Sequence, residues 1–170
     1  MIIKFEGIDA IIKNFNQFER LTTSGISRAM NRANTAGTTI SLRAMRKTWV
    51  GITARDLKRR TYQDKATKAK LHTRFVITSR SINLAEFGAK QNKKGVSYRL
   101  KTKRRTMQGA FTAKGMVFKR KTRERNSIIP FYSITPTSMF IGAGDVEIYT
   151  KRYMEIFEKR FKHELSQILK

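Results

Sequence analysis

Thirteen cationic side chains crowd residues 88–123, and no carboxylate lies between Glu86 and Glu124. They are Lys90, Lys93, Lys94, Arg99, Lys101, Lys103, Arg104, Arg105, Lys114, Lys119, Arg120, Lys121 and Arg123. Two chemistries are open to such a run. Lys and Arg along paired strands can meet the phosphates of a nucleic-acid backbone. The same charges can dock on acidic protein surfaces in an assembly. A third reading is a solvated basic loop. Within the run, Lys93, Lys94, Arg99, Lys101, Lys103, Arg104, Arg105, Lys119, Arg120 and Lys121 are the candidate polyanion or partner contacts. Tyr98 and Phe118 fall on the inner faces of their strands, so they read as core rather than as a base-stacking platform.

Catalytic chemistry has little to work with. His72 and His163 are the only histidines, and neither has a partner at metal-ligand spacing. Glu155 and Glu158 lie one turn apart on the last helix. Carboxylates at that spacing pair with neighbours such as Lys151, Lys159 or Lys162 more often than they do acid–base work. The absence of cysteine excludes disulfides, thiolate zinc sites and Cys nucleophiles. No phosphate-cradling glycine loop, G-x-S-x-G or H-E-x-x-H is present. The expectation is a non-enzyme with no cofactor and no metal.

The whole chain shares the bias of its middle. Its 170 residues hold 37 Lys plus Arg against 12 Asp plus Glu, a net charge of +25 that seeks polyanions or acidic surfaces. Residues that are 39% hydrophobic and 10% aromatic can build a core, so the charge does not imply general disorder. The length suits a single domain, 1–170, with a basic strand-loop insert at about 88–123. No apolar run approaches the ~18 residues that read as a membrane span. The N-terminal MIIKFEGIDA lacks the pattern of a secretory signal, which places synthesis in a cytoplasm without secretion.

The elements that must carry these residues follow from periodicity. Residues 2–6 read as a short strand ending at Gly7. Ile8, Ile11, Ile12, Phe15 and Phe18 recur at helical spacing over 8–20. Thr22, Thr23, Ser24 and Gly25 read as a break, with Ser24 capping a second helix over 25–48. That helix turns Ile26, Met30, Ala33, Gly37, Ile40 and Ala44 inward, and Trp49 and Val50 close the run before Gly51. Thr53-Ala-Arg-Asp56 reads as a capping box opening a short third helix. Residues 63–70 read as a polar connection. Strands are expected at 73–78, 81–87, 96–101 and 115–120, with Val96, Tyr98 and Leu100 inward. Pro130 and Pro136 make 128–140 an extended segment rather than a central strand. Asp145 reads as the cap of a final helix with an apolar stripe of Tyr149, Tyr153, Ile156, Phe157, Phe161, Leu165 and Ile168. The segregation of helices and strands predicts an α+β fold. An antiparallel sheet of about four strands is packed by long N-terminal and C-terminal helices.

The middle of the chain also carries a resemblance. INLAEFGAKQNKKGVSYRLK (82–101) is similar to the block L-x-x-F-x-A-x-Q-x-K-K-G-V-S-x-R-x-K of the prophage minor tail protein Z family, the tail completion proteins of long-tailed phages. Leu84, Phe87, Ala89, Gln91, Lys93, Lys94, Gly95, Val96, Ser97, Arg99 and Lys101 carry the match. ITARDLKRR (52–60), GAFTAKGMVFKR (109–120) and IIPFYSITPTSMF (128–140) resemble further segments, and the likeness spans roughly residues 25–140. The stretch between Phe111 and Gly115 is shorter than the family's. Ser133-Ile-Thr135 replaces a Tyr-Gly-type turn. The resemblance implies a structural virion protein at the head-proximal end of a phage tail, completing it for head–tail joining. Its implied partners are other tail and neck proteins: the tail terminator or tube and the head–tail connector. It further implies a homo-oligomeric ring, a hexamer in keeping with sixfold tails, and non-specific contact with genome DNA. A free nucleic-acid-binding protein, acting on DNA or RNA through its basic surface, is the alternative.

Overall fold

The computed structural model describes residues 8–122, 124 and 127–169. The strand expected over 2–6, the side chains at positions 8–16 and Arg123 lie outside this description. The fold is α+β, with antiparallel pairing and long N- and C-terminal helices, as the sequence indicates. Among the described residues the strands number eight in three small sheets rather than about four in one. Strands of three to five residues, several exposed along most of their length, show too little alternation to be read from sequence.

Helix α1 runs from Ile8 to Thr48 without interruption. The break expected at 22–25 does not occur, and Ser24 caps nothing. The Thr22 and Thr23 hydroxyls donate to the carbonyls of Phe18 and Glu19 at 2.8 and 3.0 Å, one turn back. This bonding satisfies the side chains inside a helix instead of ending it. Next come α2 (Ala54–Lys58), β1 (Thr61–Asp64) and β2 (Arg74–Ile77), the last two forming a two-stranded sheet. The capping box is present: the Asp56 amide donates to the Thr53 hydroxyl at 3.2 Å. β1 takes up the start of the expected 63–70 connection. A 3-10 turn at Leu84–Phe87 stands where a strand was expected over 81–87. β3 (Lys90–Asn92), β4 (Gly95–Arg99) and β5 (Arg104–Gln108) form one antiparallel sheet in that order. β6 (Ala110–Ala113), β7 (Met116–Arg120) and β8 (Ile128–Pro130) form another. Segment 88–123 is therefore five strands and their turns, not one strand pair with a loop.

Pro130 ends an edge strand, as its missing N–H requires. Pro136 opens α3 (Pro136–Gly142), a helix where extended chain was expected. The first helical turn tolerates proline, and Thr135 caps it by accepting from the Ser138 amide at 3.1 Å. α4 spans Asp145–Ile168.

The chain divides into two compact units. The first gathers α1 up to Gly37, Gln63–Phe75 and the chain from Thr150. Here Asn31 clamps the Ala66 backbone, donating to its carbonyl at 2.9 Å and accepting from its amide at 2.8 Å. Gly25 is buried against Glu164, and a Cβ there would sit 3.2 Å from the Glu164 Cβ. Glu164 is itself buried and bonded to the Arg28 guanidinium, Nε at 3.0 Å. That bond holds its carboxyl below the usual range. Tyr153, Phe157 and Phe161 stack in sequence along α4. The α1 stripe differs from expectation. Ile40 is exposed, while Asn34, Thr38 and Ser41 are buried. Asn34 earns burial by donating to the Arg74 carbonyl at 3.3 Å, a partner no periodicity reveals.

The second unit holds Thr38–Tyr62 and Val76–Tyr149. Its core joins Met45, Trp49, Ile52 and Leu57 to Ile82, Leu84, Phe87, Val96, Ala110, Val117 and Met139. Asn83 pins this core. Its carbonyl oxygen accepts from the amides of Ala85 at 3.0 Å and Val117 at 2.9 Å, and its amide donates to the Val117 carbonyl at 3.4 Å.

Asp145 begins α4 fully buried, and neither carboxylate oxygen finds a hydrogen-bond partner among the described residues. It is the first helical residue rather than the cap expected of it. Burial pushes its carboxyl from 3.8 up to about 6. The folded state thus holds a proton that the unfolded state releases between those values. This group's contribution is greatest below about pH 4 and is lost as pH rises through 6. The difference corresponds to at most about 3 kcal/mol of stability. Asp145→Asn should therefore stabilise the protein by about 2 kcal/mol at pH 8 and change little near pH 4. Urea midpoints at both pH values test this, and equal midpoints of the two proteins at pH 8 would refute it.

Candidate polyanion and partner surface

All ten candidate cations are exposed, and the folding of β3–β7 distributes them into three groups. Lys93 and Lys94 form the two-residue turn between β3 and β4, where Asn92 pairs with Gly95. The Asn92 side chain accepts from the Lys94 amide at 3.2 Å and fixes this turn. Arg99, Lys101, Lys103, Arg104 and Arg105 gather at the opposite end of the β4–β5 hairpin. Lys119, Arg120 and Lys121 sit at the C-terminal end of β7, where Lys119 pairs with Ala110 and Arg120 with Ile128.

Register then sorts the side chains by face. Residues directly opposite in an antiparallel ladder share a face, and neighbours along a strand alternate. Val96 is buried and Tyr98 packs on the core, so Met107 and Arg105, their partners, share the inner face. The outer face carries Lys90, Ser97 and Thr106 in one row, Arg99 and Arg104 in the next, and Asn92 and Gln108 beyond Gly95. It has no apolar side chain. A shallow cleft of about 390 Å³ lies between Asn92, Lys93, Lys94, Thr106 and Gln108 at one end of it.

Arg99 stands directly opposite Arg104. Like charges so placed cost roughly 0.2–1 kcal/mol. Each is tethered to backbone: Arg99 Nε donates to the Thr102 carbonyl at 3.1 Å, and Arg104 Nη2 to the Gly88 carbonyl at 3.1 Å. The guanidiniums are thus oriented while keeping donors free.

At the hairpin tip the surface changes character. Trp49 closes the C-terminal end of α1, and its indole N–H donates to the Met139 carbonyl at 3.2 Å. The Lys101 ammonium lies 4.8 Å from the indole ring centre, a cation–π contact. Leu100, Thr102, Lys103 and Arg105 complete a cleft of about 410 Å³ over the tryptophan. Gly51 makes this approach possible, because the chain after α1 lies directly on the Arg99 carbonyl.

The sequence marks the cations but not their grouping, and it gives Trp49 only the role of ending a helix. A lone tryptophan followed two residues later by glycine is the one signal that could have singled it out. Phe118 is half-buried and stacked with Phe111, ring centres 6.0 Å apart, within the β6–β7 pair. Glu155 pairs with Arg152 at 2.8 Å rather than with a lysine. Among the described residues no group of three or more His, Asp or Glu side chains is placed to hold a metal ion. No helix among the described residues is long and apolar enough to cross a membrane. No family model, curated protein or solved structure matches the chain.

Proposed function

We propose that this chain is a structural, non-catalytic virion subunit that completes the head-proximal end of a phage tail for head–tail joining. The observation that carries the reading is the place of the 82–101 block in the fold. Each residue type in it answers a physical demand. Leu84, Phe87 and Val96 are buried in the core of the second unit. Gln91 reaches from β3 to accept from the Thr112 amide of β6 at 2.9 Å. Gly95 has φ +141°, and a Cβ there would lie 2.0 Å from the Met107 carbonyl oxygen. Lys93, Lys94, Arg99 and Lys101 are left outside, at the two ends of β4. A block that joins two sheets and leaves cations at both ends suits a subunit packed among charged neighbours. Its partners are then the tail terminator or tube and the head–tail connector, with genome DNA as a non-specific contact.

Light scattering on nuclease-treated protein, at low and high salt, tests this. The expected species is a ring of six 19.7 kDa chains, or a monomer that becomes such a ring when tail tube or terminator is added. A monomer indifferent to both would overturn the proposal. The outer face of β3–β4–β5, cationic and polar throughout, favours a second reading as a free nucleic-acid-binding protein. That reading requires affinity that falls steeply with salt and a preference for one sequence over others. Equal affinity for unrelated duplexes would count against it.

A further inference from the structure

We infer that the cleft at the tip of the β4–β5 hairpin takes an acidic segment of a partner protein that inserts an aliphatic side chain against Trp49. This deepens the assembly reading above and rests on it only for which protein supplies the segment.

The argument starts from what Trp49 can offer. Its face is occupied by the Lys101 ammonium, 4.8 Å from the ring centre. With the indole buried in the core besides, a nucleobase has no open face on which to stack, which disfavours single-stranded nucleic acid. Its N–H is already donated to the Met139 carbonyl, so no polar group of a ligand is needed there. What remains is the small part of Trp49 left accessible, 7%, beside half-buried Leu100, an apolar floor inside a cleft of about 410 Å³. Phosphates alone would leave that floor unused. An aliphatic side chain would fill it, as apolar anchors do at the centre of protein interfaces.

The rim specifies the charge of the occupant. Lys101, Lys103 and Arg105 surround the floor, and no carboxylate pairs with any of them among the described residues. Three converging cations over an apolar floor complement acidic residues on either side of an aliphatic one. The site is also built in advance. Arg99 Nε closes the tip by bonding the Thr102 carbonyl, and Gly51 seats the end of α1 on the Arg99 carbonyl. The outer sheet face of the same hairpin lacks an apolar floor altogether, so one hairpin presents two chemically different surfaces.

Trp49 is the only tryptophan of the chain and reports on its own cleft. The test uses the full chain and three labelled probes of equal charge: a poly-Glu peptide with one central Leu, the same peptide with Ser in that place, and duplex DNA. The Leu peptide should bind about tenfold more tightly than the Ser peptide and should change Trp49 emission, since one filled apolar subsite is worth that much. The double variant Lys103→Ser, Arg105→Ser alters two exposed side chains and should fold normally. It should weaken the Leu peptide about tenfold and the duplex much less, because the other cations remain. Equal binding of the Leu and Ser peptides would overturn the inference, leaving only diffuse charge attraction. So would an equal emission change with duplex DNA, which would make the cleft part of a nucleic-acid surface. Peptide binding is read on the isolated chain, so it stands or falls independently of ring assembly on a tail.

Discussion

Gly51→Ala is expected to lower stability by about 3 kcal/mol or more and to abolish the Trp49 cleft. The added Cβ would lie 1.7 Å from the Arg99 carbonyl oxygen, 2.8 Å from the Arg99 carbonyl carbon and 3.1 Å from the Phe87 oxygen. All three are backbone atoms, so no rotamer change relieves the clash. Either the chain after α1 lifts off the end of β4 or β4 itself moves. Both routes disturb Ile52, Phe87 and Trp49, which are buried in one core. The expected readout is a fall in the urea midpoint together with a red shift of Trp49 emission as its ring meets water. Gly142→Ala is the internal control. Its Cβ would meet only Trp49 Cζ2, at 3.7 Å, an ordinary contact at the end of a helix. It should shift stability by less than about 1 kcal/mol. A Gly51→Ala protein with the parent's midpoint and emission would mean that the chain does not lie on the Arg99 carbonyl.

Asn83→Ala should be comparably damaging, for an electrostatic rather than a steric reason. Truncation removes the oxygen that accepts from the Ala85 and Val117 amides, and Asn83 is buried. The Val117 N–H would then lie buried without a partner and the Ala85 N–H partly so, each costing up to about 1–3 kcal/mol. The Val117 carbonyl would keep its bond from the Phe131 amide at 2.8 Å, so it adds little to the loss. The expected total is about 3–5 kcal/mol. Gln91→Ala removes a side-chain acceptor of similar chemistry at an exposed site, where water can replace it. It should cost less than about 1 kcal/mol. Denaturant melts of the two variants decide the matter. Equal small losses would show that Asn83 does not hold the core together.

These two residues also show where sequence reading reaches its limit. Gly51 reads as a break just past the end of a helix, and α1 does end at Thr48. The reason it must be glycine lies on Arg99, which approaches only when β4 is in place. Asn83 reads as an ordinary polar position in a strand. Its partner Val117 lies 34 residues away, and the strand is in fact a 3-10 turn. Asn34 and Asn31 lie outside the apolar stripe read from the sequence, and each is satisfied by backbone that the helix meets only after folding.

What the sequence determined by itself is local in origin. The α+β class, the Thr53–Asp56 capping box, the stripe of α4 and the inward set of β4 all follow from periodicity or from neighbours within a turn. The concentration of cations between Glu86 and Glu124 is likewise a property of the chain alone. Tertiary structure decided everything that depends on pairing. It carried α1 through Thr22–Gly25, because threonine hydroxyls can be satisfied within a helix and Gly25 admits Glu164 closely. It divided the strands among three sheets, because the edges and lengths of short strands are set by their partners. It sorted one basic run into a polar outer face and a cleft floored by Trp49, because register fixes which side chains share a face, and register arises only between segments that have already met.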